Sequence, residues 1–157
     1  MTDKIRVADY HRQPIVEIEM PDGEVLKLRQ PLESDYFRMT EVREEHAARR
    51  LKYLEEKVAL GKEIAEKAKA LAAAGGSDDE ARALIEREQE ALKGPDPLEI
   101  TPRYEDASLL AIFLVPEQSP ERILELGPDL MAELSERVTA VLTGDAAKNR
   151  RRARDGK

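Results

Sequence analysis

The residues able to do acid–base or metal chemistry are few, and their spacing does not serve it. His11 and His46 are the only imidazoles, and neither has a second histidine four residues on, so the HExxH arrangement that offers zinc two ring nitrogens from one helix face is missing. The carboxylate pairs Glu44-Glu45, Glu55-Glu56 and Asp78-Asp79 lie in strongly polar sequence. Nothing there supplies the burial or close like charge that moves a carboxyl into the working range of a general acid, so they are read as solvated faces. No GxxxxGK(S/T), GxGxxG or GxSxG pattern occurs, hence no phosphate-cradling loop and no nucleophile elbow. With no cysteine there is neither thiolate nor disulfide, which fits a reducing compartment. The expectation is a protein that is not an enzyme, with no catalytic residue, no metal and no cofactor.

Binding is what remains, and charge and apolar pattern say where. From Gly144 onward Lys148, Arg150, Arg151, Arg152, Arg154 and Lys157 stand against Asp145 and Asp155, a balance of +4. The overall charge is −7, so the rest carries −11. Arg150, Arg151, Arg152 and Arg154 could neutralise nucleic-acid phosphates, which makes a small nucleic-acid-binding or transcription-regulatory protein the alternative function. No aromatic residue is interleaved for base stacking, and the acidic remainder repels a polyanion, so nucleic acid is the disfavoured partner. The longest apolar run, Leu109 to Val115, is far short of the roughly 20 residues that span a bilayer, and Met1-Thr-Asp-Lys-Ile-Arg is followed by no apolar signal segment. A soluble cytoplasmic protein with no membrane partner is expected.

The elements that would carry a binding surface can be placed from periodicity. Residues 1–13 are unpatterned, a flexible lead-in. In Pro14 to Met20 the apolar Val16, Ile18 and Met20 alternate with Glu17 and Glu19, the Pro21-Asp22-Gly23 turn follows, and Val25, Leu26 and Leu28 flank Lys27: a β-hairpin. Pro31 and an N-cap at Ser34 or Asp35 open a helix without proline as far as Ala74. Along it Ala47, Leu51, Leu54, Val58, Gly61, Ala65, Ala68 and Ala72 recur at alternating spacings of four and three, a heptad seam whose residues shrink toward its end. The shrinking seam suits a closely approaching helix, paired weakly or transiently, and is open to self-association. Gly75-Gly76 ends this helix, Ser77 caps a second one over about 78–93, and the two form a charged αα-hairpin arm at about 46–93 that projects from the body.

Past the Gly94-Pro95-Asp96-Pro97 connector, Tyr104 to Val115 is apolar nearly all round and predicts one buried helix at the centre of the core. Ser119-Pro120 starts a short helix, and a last one runs to about Leu142 with Leu130, Leu134, Val138, Val141 and Leu142 on its apolar face. The fold class is therefore α+β, predominantly helical: an N-terminal β-hairpin, the long αα-hairpin arm and a compact C-terminal helical bundle. Residues 14–144 form one domain and 145–157 a disordered basic tail. Candidate partner-binding residues are Leu51, Leu54 and Val58 on the arm and Leu109, Phe113, Leu130 and Leu134 on the body.

Three stretches taken together resemble the tail assembly chaperones of long-tailed bacteriophages. Val16-Glu-Ile-Glu-Met-Pro-Asp-Gly-Glu-Val-Leu-Lys-Leu-Arg29, followed by Gln-Pro-Leu-Glu-Ser-Asp-Tyr36, looks like the family's opening hairpin, proline and acidic helix start. Ala107 to Val115 resembles its apolar helix, and Ser119 to Leu134 with the Leu142-Thr-Gly144 ending is similar to its closing pair of helices. The likeness covers somewhat over half the chain, and the arm is longer than the family pattern. It implies an assembly factor in the host cytoplasm that binds the helical tape measure protein and tail tube subunits, with no cofactor and no reaction.

Overall fold

The computed structural model describes residues 14–144. In chain order the elements are β1 (Val16–Glu19), β2 (Val25–Leu28), α1 (Glu33–Ala73), α2 (Asp78–Leu92), a 3-10 turn (Leu98–Ile100), α3 (Pro102–Ala111), β3 (Leu114–Val115), α4 (Pro120–Leu124) and α5 (Pro128–Leu142). This is the predominantly helical α+β class with a leading antiparallel hairpin. Contacts gather the chain into two compact units, residues 44–101 and the residues on either side of them, with one boundary inside α1. No helix among the described residues is long and apolar enough to cross a membrane.

In the unit that flanks residues 44–101, the hairpin forms because its alternation puts Leu26 and Leu28 on one face, where both are buried, and Lys27 on the other. Val16 pairs with Leu28 and Ile18 with Leu26. The turn needs the positive φ of Gly23 (+86°), whose N–H donates to the Met20 carbonyl. A third strand, β3, pairs antiparallel with β2, Leu114 opposite Leu28. This corrects the expectation of one helix from Tyr104 to Val115. α3 ends at Ala111, the Ile112 and Phe113 amides bond back to Leu109 and Leu110, and the chain leaves as an edge strand. Helix end, turn and buried strand are all apolar, so periodicity cannot separate them. Their side chains, with Ile123 of α4 and Met131, Leu134 and Val138 of α5, make the core around Phe113.

The start of α1 also differs from expectation. The helix opens at Glu33, so neither Ser34 nor Asp35 is its cap. Asp35 sits in the first turn, 1% exposed, and its Oδ2 accepts from the Leu32 N–H at 2.7 Å, the returning half of a capping box. The same carboxylate takes both ends of the Arg29 fork, each at 2.7 Å. Arg29 also donates to the Ile112 carbonyl at 2.8 Å and lies 5.6 Å from the centre of the Phe113 ring. One ion pair thus joins the end of the hairpin, the start of α1 and the turn after α3. Burial pushes the Asp35 carboxyl up, but the hydrogen bonds from Arg29 and Leu32 and the charges of Arg29 and Arg38 outweigh it and hold the group below its ordinary value. At the other side of the sheet, Arg122 of α4 pairs with Asp22 (3.2 Å) and Glu24 on the hairpin turn.

In residues 44–101, α1 runs on to Ala73 and stops in a Schellman turn: Gly76 N–H donates to Leu71 O, Gly75 N–H to Ala72 O, and Gly75 takes φ +85°. The Ser77 hydroxyl accepts from Glu80 N–H and starts α2. The fifteen residues of α2 rise about 22 Å, close to the roughly 24 Å from Ala73 back to Lys57. Asp96 accordingly lies 3.8 Å from both Lys57 and Arg50, and His46 Nε2 donates to the Thr101 carbonyl at 3.1 Å, so the hairpin is antiparallel. The α1 residues it covers are His46, Ile64 and Ala68, with Tyr53, Lys57, Gly61 and Leu71 half-buried. Of the heptad seam only Gly61 and Ala68 belong to that face. Ala81, Leu84, Ile85 and Leu92 are half-buried on α2.

Candidate functional site

α3 and α5 leave a furrow between them. Its α5 wall is Pro128, Met131, Ala132, Ser135, Val138, Thr139 and Leu142, and its α3 wall is Arg103, Asp106, Leu109 and Leu110, continued by Phe113. Both sets recur at three and four residues, so each helix offers one face along its length. The furrow divides into two hollows of about 200 and 280 Å³ that share Asp106 and Ser135. Met39 and Arg43 of α1 close the first. From Pro128 to Leu142 the wall extends about 21 Å, four turns of a helix.

The chemistry of the walls suits an apolar helix face better than a small polar molecule. Leu109, Leu110, Phe113, Val138 and Leu142 make the floor of the first hollow, while Arg43 and Arg103 stand at opposite ends of the furrow with Asp106 between them. A partner with an apolar stripe and acidic ends would find a matching arrangement. Past the Leu142 end, the Tyr36 hydroxyl of α1 is 3.5 Å from the Leu142 carbonyl.

The predicted binding residues fall in three settings. Leu109 and Phe113 line the furrow, Leu109 half-buried on its wall and Phe113 buried beneath it. Leu134 is buried in the core and Leu130 packs against it half-buried, and neither lines the furrow. Leu51, Leu54 and Val58 are 58%, 45% and 58% exposed on α1, in the other unit. Met39, Leu110 and Met131 are lining residues that periodicity does not single out, because a furrow wall and a core face are equally apolar in sequence. His46 is a buried structural donor, and no group of three or more metal-binding side chains occurs among the described residues. His11 and the basic tail residues Arg150, Arg151, Arg152 and Arg154 lie outside the described residues. Comparison with family models, with curated proteins and with solved structures finds no match to this chain.

Proposed function

We propose that this chain is a phage tail assembly chaperone, binding helical segments of the tape measure protein and tail tube subunits in the host cytoplasm while the tail is built, without chemistry of its own. The observation that carries the reading is the α3–α5 furrow: a four-turn groove with an apolar floor and an Arg at each end, whose floor, though not its Arg43 and Arg103 ends, falls on the residues that resemble the family's apolar helix and closing helices. An amphipathic client helix would seat i, i+3, i+4 and i+7 side chains in the two hollows. Such a groove favours many related helices over one tight ligand, which suits a protein that must release its client.

The test is co-expression with the tape measure product of the same genome, followed by co-purification. Ala132 and Thr139 are exposed on the furrow wall, so Ala132→Arg/Thr139→Arg fills the groove without touching the core. The expected outcome is a soluble complex with the wild type, lost in the double variant while its circular dichroism is unchanged. A complex that survives the double variant, or none with the wild type, rejects this function for the furrow.

A further inference from the structure

α1 carries two apolar faces over residues 44–73, and its own hairpin covers one of them. At 100° per residue the covered residues His46, Tyr53, Lys57, Ile64 and Leu71 centre about 100° round the helix from Ala47, Leu51, Leu54, Val58, Ala65 and Ala72. The second set lies within about 40° of one line and every member is exposed. Their heptad spacing is the pattern that a second helix packs against.

We propose that this seam is a homodimer interface in which α1 packs antiparallel on α1 of a second copy, about a twofold axis near residues 59–60. Size carries the first part of the argument. The bulky residues Leu51, Leu54 and Val58 lie in the N-terminal half of the seam and Gly61, Ala65 and Ala72 in the C-terminal half. An antiparallel pair sets Leu54 against the second copy's Ala65 and Val58 against its half-buried Gly61, large against small at the central layers; Leu51 falls beside its Ala68, at the border where the seam meets the face covered by α2, and Ala47 meets its Ala72 at the ends. A parallel pair would stack leucine on leucine at one end and leave alanine facing alanine, with a gap, at the other. Gly61 is half-buried at the border of the two faces, but no atom lies within 4 Å of where a Cβ would stand, which leaves room there for a neighbour's side chain.

Charge carries the second part. Glu55 and Lys62 flank the seam on the side away from α2, and both are exposed. The antiparallel register brings each Glu55 beside the second copy's Lys62, two opposite-charge pairs related by the twofold. The parallel register would bring Arg50 beside Glu55 but also Lys57 beside Lys62, an attraction set against a like-charge contact, whereas the antiparallel one has only the attractive pairs on this flank. The seam from Ala47 to Ala72 is about 37 Å long, enough for a pairing of seven turns.

The experiment uses the full chain in sedimentation equilibrium, with circular dichroism as the control for folding. The wild type is expected to be a dimer at tens of micromolar. Leu54→Glu/Val58→Glu, which places two carboxylates in each copy of the seam, is expected to weaken it on the order of a hundredfold with helicity retained. Glu55→Lys alone weakens association, and Glu55→Lys/Lys62→Glu restores it. Because the chain has no cysteine, mixing Leu54→Cys with Ala65→Cys protein reports orientation: a disulfide between the two different variants supports the antiparallel register. A wild type that stays monomeric, disulfides formed only between identical variants, or a seam occupied instead by a client helix that cross-links to Leu54→Cys would each overturn the proposal.

Discussion

Removing the Arg29 side chain should cost more than any other surface-reaching substitution, and the cost should depend on pH. Arg29→Met keeps the stem that packs by Phe113 but leaves Asp35, 1% exposed, with the Leu32 N–H and the more distant charge of Arg38 to hold its own. Breaking one side of such a pair costs about 3–5 kcal/mol, because the cost of the remaining buried charge is no longer offset. With a urea slope of about 2 kcal/mol per molar, the midpoint falls by about 1.5–2.5 M. Asp35 has a folded-state affinity for protons below the unfolded one, so its stabilisation is fully present above the unfolded value of 3.8 and is lost as pH falls through the lower, folded one. In Arg29→Met burial dominates instead, the carboxyl rises, and protonation relieves the variant. Wild type and variant should therefore converge between pH 5 and pH 3. Urea titrations read by amide exchange in β2 isolate the unit that holds the pair. A variant within about 0.5 kcal/mol of wild type at pH 7, or a gap that does not narrow in acid, would refute the reasoning.

Two other perturbations separate backbone from side-chain effects. Gly76→Ala puts a Cβ 2.9 Å from both Leu71 Cγ and the Leu71 carbonyl, and Gly75→Ala forces a side chain onto φ +85°, so each should lower thermal stability by about 1 kcal/mol or more. Gly61→Ala meets nothing within 4 Å and should instead raise it by about 0.5–1 kcal/mol, measured in the monomeric Leu54→Glu/Val58→Glu background. Ser119→Ala removes the hydroxyl that accepts the Arg122 N–H and should cost about 1 kcal/mol by thermal melting, with Ser119→Asp restoring most of it.

The parts of the fold legible in sequence are those where one local rule decides. Gly23 and the period-two alternation give the hairpin; Ser77, Ser119 and the Gly75-Gly76 stop give the helix ends. What was not legible depends on partners distant in sequence. Leu114 becomes a strand because β2 has an open edge beside it, and Asp35 becomes a buried acceptor because Arg29 and the Ile112 carbonyl converge there. On α1, both the covered and the uncovered faces are apolar at helical spacing. The seam chosen by heptad count is mostly the uncovered one: the covered His46, Tyr53, Lys57, Ile64 and Leu71 keep the same spacing, but His46 and Lys57 are not apolar, so a count of apolar residues passes over them.

The Arg29–Asp35 pair also bears on what the family likeness means. The stretch that resembles the chaperones' opening, from Leu28-Arg29 through Pro31 to Asp35, is the joint between the sheet, α1 and the turn after α3. Its chemistry is consumed in holding the fold, with both guanidinium ends and both carboxylate oxygens engaged. A likeness in that stretch therefore speaks for the fold's architecture, and under the proposed function client binding falls to the α3–α5 furrow. The two roles separate under mutation. Arg29→Lys keeps the charge but loses the two-pronged geometry, and should lower stability while leaving client capture intact at low temperature; Ala132→Arg/Thr139→Arg should do the reverse. If both classes of variant lose client and stability together, furrow and joint are one cooperative element and the division of labour between them is wrong.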